Sequence, residues 1–395
     1  MREVLEAGCS RSASRRPESR SVKTLIAHVC FVFALAACDA PVFAAELNVG
    51  PNQRFARIED ALVQARPGDV IVVQPKPEHQ AYEKVAVSVD KPRITIRSAV
   101  PAGARVALSG RGFNFSGRGS VPRAIVQFNK NAGGGLLEGF ELFGAHNESH
   151  NGAGVRINQA DNVTVRDCEI HDNDMGLMSN GDGTLESAMN QRIEHCAIHH
   201  NGDRSEPGYN HNLYLGGTSV TLTNCEVYAS LTGHNVKSRA HKIEVRDCYI
   251  HDSANREFDL VDASETAFPD SDAVLGGNKI VKAADCPGNR AVINFGQDGG
   301  KARNGTLRLE NNVIRTPFLA PVIQLSAPQA RVMLNQNIIE NSGSQKSRQT
   351  LIEAGASTAP DAVQGRDNKI SSSFASPALV ALKLEHTTFA NPTPP

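Results

Sequence analysis

From Lys84 onward the apolar residues of this chain fall at every second position in short runs, as in KVAVSV (84–89), PRITIRS (92–98) and LLEGFELFG (136–144). Such alternation marks strands with one buried face, because successive side chains point to opposite sides. The runs themselves recur. VTVRDCEIHDN (163–173), QRIEHCAIHHN (191–201), VTLTNCEVYAS (220–230) and IEVRDCYIHDS (243–253) share one frame, which returns in GGNKIV, LENNVIR, LNQNIIE and RDNKIS. Aligned on Cys168, Cys196, Cys225, Cys248, Asn278, Asn312, Asn337 and Asn368, successive copies lie 23 to 34 residues apart. Each copy is too short for a domain and too rich in alternating β-branched residues for a helix pair. The spacing predicts one coil of a parallel β-solenoid per copy, with loops of unequal length leaving the coils.

The segment before the clear repeats differs. FARIEDALVQARPGDVIVVQP (55–75) combines an amphipathic helical stretch, Ile58 to Ala65, a Pro-Gly-Asp turn and a short strand, Val70 to Val73. A solenoid exposes apolar edges at its ends, so a helix covering the first coil is expected there. Phe140 falls 28 residues before Cys168, so the repeat begins ahead of its clearest copies. Ile250, two residues after Cys248, is expected to face inward with it. The reading is one domain over 46–385, followed by a disordered tail at 386–395.

A second strand accompanies each Cys/Asn strand: GVRIN (154–158), NLYLG (212–216), NVKSR (235–239), EFDLVD (257–262), VINFG (292–296) and VIQLS (322–326). With Leu213, Val236, Phe258, Ile293 and Ile323 inward, alternation places Tyr214, Lys237, Asp259, Asn294 and Gln324 in one outward column, about 4.8 Å apart. Asn212, Asn235 and Glu257 form a column beside it, and Arg239 stands on the other side. His211 and His234 precede Asn212 and Asn235 in the same register. So dense a cluster of polar and ionisable residues on adjacent coils predicts a site.

Composition narrows what that site can serve. The chain carries 41 Lys+Arg against 42 Asp+Glu with no basic stripe, which argues against nucleic acid as a partner. Residues 24–37 form an apolar core flanked by basic residues and by VFAA (42–45), the pattern of an export signal spanning 1–45, and the stretch is too short for a transmembrane span. Leu35-Ala36-Ala37-Cys38 also fits a lipoprotein signal. The expected location is therefore secreted or periplasmic, with outer-membrane lipoprotein the alternative, and the expected state is a monomer. The five later cysteines include four in register and no CxxC spacing, so they read as a ladder of small buried hydrophobes rather than a disulfide framework or zinc site. His171, His199, His200 and His251 recur with the repeat and are read as turn residues.

The pattern F-x-x-I-x-x-A-L-x-x-A-x-P-G-D-x-I-x-V from Phe55 to Val73, with the Asn-x-Ile frame, resembles the bacterial right-handed parallel β-helix proteins of the pectate-lyase-like superfamily. The resemblance implies an all-β fold, a single right-handed parallel β-helix with an N-terminal capping helix. It also implies a protein that cleaves, epimerises, hydrolyses or binds polysaccharide, often with calcium and with a Lys or Arg base in a groove along one sheet. Lys237 and Arg239 in NVKSRA match that pattern. The paired aspartates of polygalacturonase-type hydrolases and the Asp-Pro-His-Glu motif of secreted alginate epimerases are absent.

The leading expectation is a polysaccharide lyase acting by β-elimination on an acidic, uronate-containing polymer. That reaction removes the proton at C5, neutralises the adjacent carboxylate and helps the C4 oxygen leave. Lys237, its pKa lowered by Arg239 and His234, is the expected base, and Arg239 the expected carboxylate grip. Tyr214 is the expected proton donor, or the base itself, and His211 or His234 fits either role. Asn212, Asn235, Arg156 and Asn294 are expected to bind substrate. Glu257, Asp259 and Asp262 are expected either to hold Ca²⁺ or to pair with Lys237 and Arg239. No organic cofactor is expected. A C5-epimerase, a hydrolase using Glu257 with Asp259 or Asp262, and a non-catalytic envelope protein that binds glycan are the alternatives.

Overall fold

Each coil of the chain closes through three short strands. In one of them Ser219–Thr223, Glu226–Tyr228 and Val236–Ser238 follow one another, and each pairs in parallel with its counterparts one coil before and after. Stacking builds three parallel sheets of thirteen, eleven and ten strands, the single right-handed β-helix expected from the repeat. This computed structural model describes residues 44–390 apart from 207, 302, 345–348, 356 and 376–381. The expected leader through residue 43, including Cys38, and the last residues of the expected tail lie outside the described residues. Thr388–Phe389 still pairs with Lys369–Ile370, so the coils run past residue 385.

The helix Ile58–Gln64 buries Ile58, Ala61 and Leu62 against the first coil, where Val70–Val73 pairs with Glu46–Val49. Its final carbonyls are not left bare. Lys91 Nζ donates to the carbonyls of Leu62, Val63 and Ala65 at 2.7–3.0 Å, placing a cation at the negative end of the helix. Among the described residues no helix is long and apolar enough to cross a membrane.

The repeat frame reads as one strand in sequence but folds as two. Its break is the residue just before each aligned Cys or Asn. Asp167, His195, Asn224, Asp247, Gly277, Asn311, Gln336 and Asp367 all have φ between 52° and 67°. Most are of the types that tolerate the left-handed region, and the bend they make sends the chain from the thirteen-stranded to the eleven-stranded sheet.

Two buried polar ladders pin the register of the coils. At this first corner Phe140 precedes Glu141 as Cys168 precedes Glu169, its register partner, and the thiols Cys168, Cys196, Cys225 and Cys248 follow in line. Cys248 N–H donates to Asn278 Oδ1 at 2.9 Å, and the amides of Asn278, Asn312, Asn337 and Asn368 then bond one to the next at 2.9–3.1 Å. At the second corner, ahead of the ten-stranded sheet, Asn173, Asn201, Asn212, Asn235 and Glu257 are linked the same way at 2.6–3.1 Å. Glu257 ends against Lys282, 3.6 Å away, with both side chains fully enclosed. The first corner changes from thiol to amide where the second ends in an ion pair.

All five described cysteines are free and buried. They are therefore expected to resist a thiol reagent such as DTNB in the native state and to react together on denaturation; rapid native reaction would contradict the packed ladder.

Of the recurrent histidines, His171, His199 and His251 are strand residues, and His200 sits in the bend that follows, with φ 52°. Phe143, His171, His199, Tyr228 and His251 stack ring on ring along the outside of the eleven-stranded sheet, with centroids 4.6–5.5 Å apart. They occupy the outward position after inward Leu142, Ile170, Ile198, Val227 and Ile250.

Candidate functional site

The ten-stranded sheet carries the expected column in the expected register. Leu213, Val236, Phe258, Ile293 and Ile323 are fully buried, and the positions between them align as Gln127, Arg156, Met178, Tyr214, Lys237, Asp259, Asn294, Gln324 and Glu353. Met178, from the strand Met175–Asn180, stands between Arg156 and Tyr214; the sequence reading had passed over this strand.

At the centre lies a chain of charge. Arg239 Nε donates to the Tyr214 hydroxyl oxygen at 2.9 Å. Arg239 Nη2 reaches Asp298 Oδ2 at 2.7 Å, and Lys237 Nζ reaches the same oxygen at 2.9 Å. Lys237 Nζ also donates to Asp259 Oδ2 at 2.9 Å. Asp259 receives Asn294 Nδ2 at 3.0 Å and Arg256 Nη1 at 3.2 Å on its other oxygen. Asp298 lies in the Gly296–Gly300 turn after the strand Ile293–Phe295 and was not anticipated; its loop leaves the repeat, so no register points to it. Arg256 was also unforeseen, since it precedes its strand and reaches forward to Asp259 and on to Gln324.

This geometry corrects the role expected of Lys237. Burial alone would push its ammonium down, but Asp259 and Asp298 outweigh burial and hold its pKa above the ordinary lysine value. Lys237 is therefore a fixed cation, unsuited to taking a proton at neutral pH. Tyr214 Oη accepts the Arg239 Nε–H, which sets a guanidinium beside the tyrosine oxygen.

Other expectations are also corrected. Asn212 and Asn235 do not face the groove: they sit in the bend before the strands, where alternation does not apply, and their amides run along the buried ladder. Glu257 is enclosed beside them, accepting from Ser253 N–H and Asn235 Nδ2, and burial pushes its carboxyl up to about 7 against the pull of Lys282. Asp262 is occupied by the backbone N–H groups of Asp298, Gly299 and Lys301. Thus Glu257, Asp259 and Asp262 do not converge as one set of calcium ligands, and among the described residues no other cluster of His, Cys, Asp and Glu does so.

His211 and His234 stack at 5.0 Å, and the His211 ring meets Tyr214 edge-on at 5.6 Å. His211 Nδ1 accepts from His234 N–H at 3.0 Å and His234 Nδ1 accepts from Arg256 N–H at 3.1 Å, which fixes both as Nε2–H tautomers. Burial keeps both rings neutral: His211 titrates well below the usual range, and His234 falls to about 4 despite Asp259, 3.4 Å away. At neutral pH each ring therefore carries its proton on Nε2 and no charge.

Because these folded values lie below the unfolded one, the unfolded chain takes up protons first on acidification. The stability this contributes is complete above pH ~6.5 and is lost as pH falls toward about 4, by roughly 3 kcal/mol for His234. Melting temperatures should fall through that window, and less steeply in His234→Asn. A flat profile from pH 7 to 4.5 would contradict the burial of these rings.

Two hollows open along this face, one of about 450 Å³ beside Arg156 and one of about 390 Å³ beside Asp259 and Asp298. The chain is similar to solved structures of polysaccharide-acting proteins. Against the alginate lyase from Paenibacillus sp. str. FPU-7 it shows 14% identity and a TM-score of 0.45, over 88% of this chain and 99% of that one. Against pectate lyase Pel9A the values are 12% and 0.47, over 86% and 78%. Against the pectin methylesterase from Aspergillus niger they are 13% and 0.41, over 81% and 92%. No protein-family model matches the chain, and no curated protein sequence matches it.

Proposed function

We propose that the protein is an exported enzyme acting on an acidic polysaccharide, and specifically a lyase that cleaves a uronate polymer by β-elimination on the ten-stranded sheet. One observation carries this reading. Arg239 Nη2 and Lys237 Nζ converge on a single carboxylate oxygen of Asp298, with the Tyr214 hydroxyl on the same guanidinium. A uronate carboxylate placed where Asp298 now lies would be held by two cations, one of them the guanidinium that also holds the Tyr214 hydroxyl.

From there the electrons balance within the substrate. The step requires Tyr214 Oη without its proton: that oxygen takes the C5 proton, the C5–H electron pair forms the C4–C5 double bond, the C4–O bond breaks, and the departing oxygen takes a proton from Tyr214. Lys237 and Arg239 stabilise the charge that builds on the carboxylate between these events. The hydrolase reading is disfavoured by the same geometry: Glu257 and Asp262 are occupied, and Asp259, though buried, is held strongly ionised by Lys237 and Arg256, unlike a proton-donating acid. Any calcium would have to bind without Glu257 and Asp262.

The test is ultraviolet absorbance from an unsaturated uronate end on incubation with a panel of polyuronates. No such product across the panel sinks the proposal, and proton exchange at C5 without chain shortening replaces it by epimerisation. Asp298→Ala removes the internal competitor for the two cations and is expected to lower KM about tenfold, ~1.4 kcal/mol. An unchanged KM would show that substrate does not enter at that position.

A further inference from the structure

The same sheet carries a second cationic feature toward the N-terminal end. The hollow beside Arg156 is lined by Arg123 and Arg156, by the loop Gly117–Val121, and by a polar floor that includes Gln127, Asn129 and Asn158. The floor is ordered within itself: Gln127 Nε2 donates to Asn129 Oδ1 at 2.7 Å, and Asn129 Nδ2 donates to Ser88 Oγ at 2.9 Å.

The two guanidiniums are not. Among the described residues neither has an ion-pair partner, and the Arg123 side chain has no hydrogen-bond partner. Arg156 reaches only Met178 Sδ at 3.7 Å and Asn180 Oδ1 at 3.3 Å. Asp90, the one carboxylate lining the hollow, is exposed and pairs with neither arginine. Burial and the nearby Arg123 charge push Arg156 down from its ordinary value, with no acid opposing them. The loop is shaped to this arrangement: Gly117 has φ +66°, and a Cβ there would lie 2.0 Å from Arg123 Nε.

Like charges brought together, partly out of water and without a counter-charge, destabilise the empty protein, and an anion relieves them. Elsewhere on this face the cations Lys237, Arg239 and Arg256 all have carboxylate partners. We infer that Arg123 and Arg156 form a second anion subsite, which takes the carboxylate of a sugar unit distant from the bond being broken. Arg156 lies three rungs from Lys237 through Met178 and Tyr214, about 14 Å. A pyranose unit is roughly as long as a rung is wide, so the subsite holds a unit a few residues along the same polymer. It gives the groove a direction, with the anionic chain running over Met178 toward the N-terminal coils. This deepens the lyase reading and rests on the same face of the same sheet.

The experiment measures binding of the full chain to alginate and polygalacturonate, to oligomers of each from dimer to octamer, and to neutral dextran. Arg123→Ala and Arg156→Ala should each weaken binding of polymer and octamer about tenfold, leave the dimer unchanged, and reduce the salt dependence. Arg156→Lys, which keeps the charge and guards against a folding defect, should recover part of the loss. Equal binding by wild type and alanine variants, an equal loss for dimer and octamer, or no polyanion binding by wild type each overturns the subsite. Arginine-dependent binding without any unsaturated product removes the lyase reading and leaves the subsite standing. Turnover with no dependence on these arginines does the reverse.

Discussion

Tyr214→Phe is expected to cut turnover of a polyuronate by about 10²–10⁴-fold with KM little changed, the signature of losing a proton-transfer group needed only in the transition state. The substitution removes one oxygen. The ring keeps its edge-on contact with His211 and its place in the strand Leu213–Leu215, so the column stays in register. Arg239 loses one acceptor but keeps Asp298 and the Asp262 carbonyl, so the carboxylate grip survives. Substrate should therefore still bind while the C5 proton has nowhere to go. The comparison needs kcat and KM measured separately and a melt to show that the variant is folded. A variant with wild-type kcat would take Tyr214 out of the chemistry, and the fixed cation Lys237 would not replace it.

Ile250→Asp should prevent the chain from reaching its folded state. Ile250 is fully buried in the strand Tyr249–His251, between Val227 and Ile280 on the neighbouring coils. Its neighbours above and below are apolar, so a carboxylate there meets neither a cation nor a donor. The cost is the lost apolar burial plus the desolvation of an unpaired acid, at least ~4–5 kcal/mol, comparable with the whole stability of many domains. Soluble yield and thermal melting give the readout. Wild-type melting would mean that this position does not face the interior.

The contrast between what the sequence revealed and what it hid follows from where the repeat holds. The outward column from Tyr214 to Gln324 was legible because strict alternation and coil spacing fix both facing and register. Asn212, Asn235 and Glu257 were misplaced because alternation was carried one residue beyond the strand, into a bend. Their recurrence as Asn-Asn-Glu at coil spacing was itself the signal of a ladder. The left-handed corner went unread, although the Asp, Asn, Gly and His residues before most Cys or Asn copies carry its signal. Asp298 was beyond reach, since it sits on a loop that no coil repeats. With it went the charge state of Lys237, which depends on two carboxylates rather than on the cations nearest in sequence.

The exchange of the two ladders has a mechanical consequence. Between Glu257 and Asn278 the side-chain amides that lock one coil to the next pass from one edge of the helix to another. Coils from Asn173 to Glu257 are tied at the second corner and coils from Asn278 to Asn368 at the first, so two stapled blocks meet at a seam. Asp259, with its partners Lys237 and Arg256 on one side and Asn294 on the other, bridges the seam at the surface. Slight twisting of one block against the other would then be felt first at the groove floor, where the proposed substrate would lie.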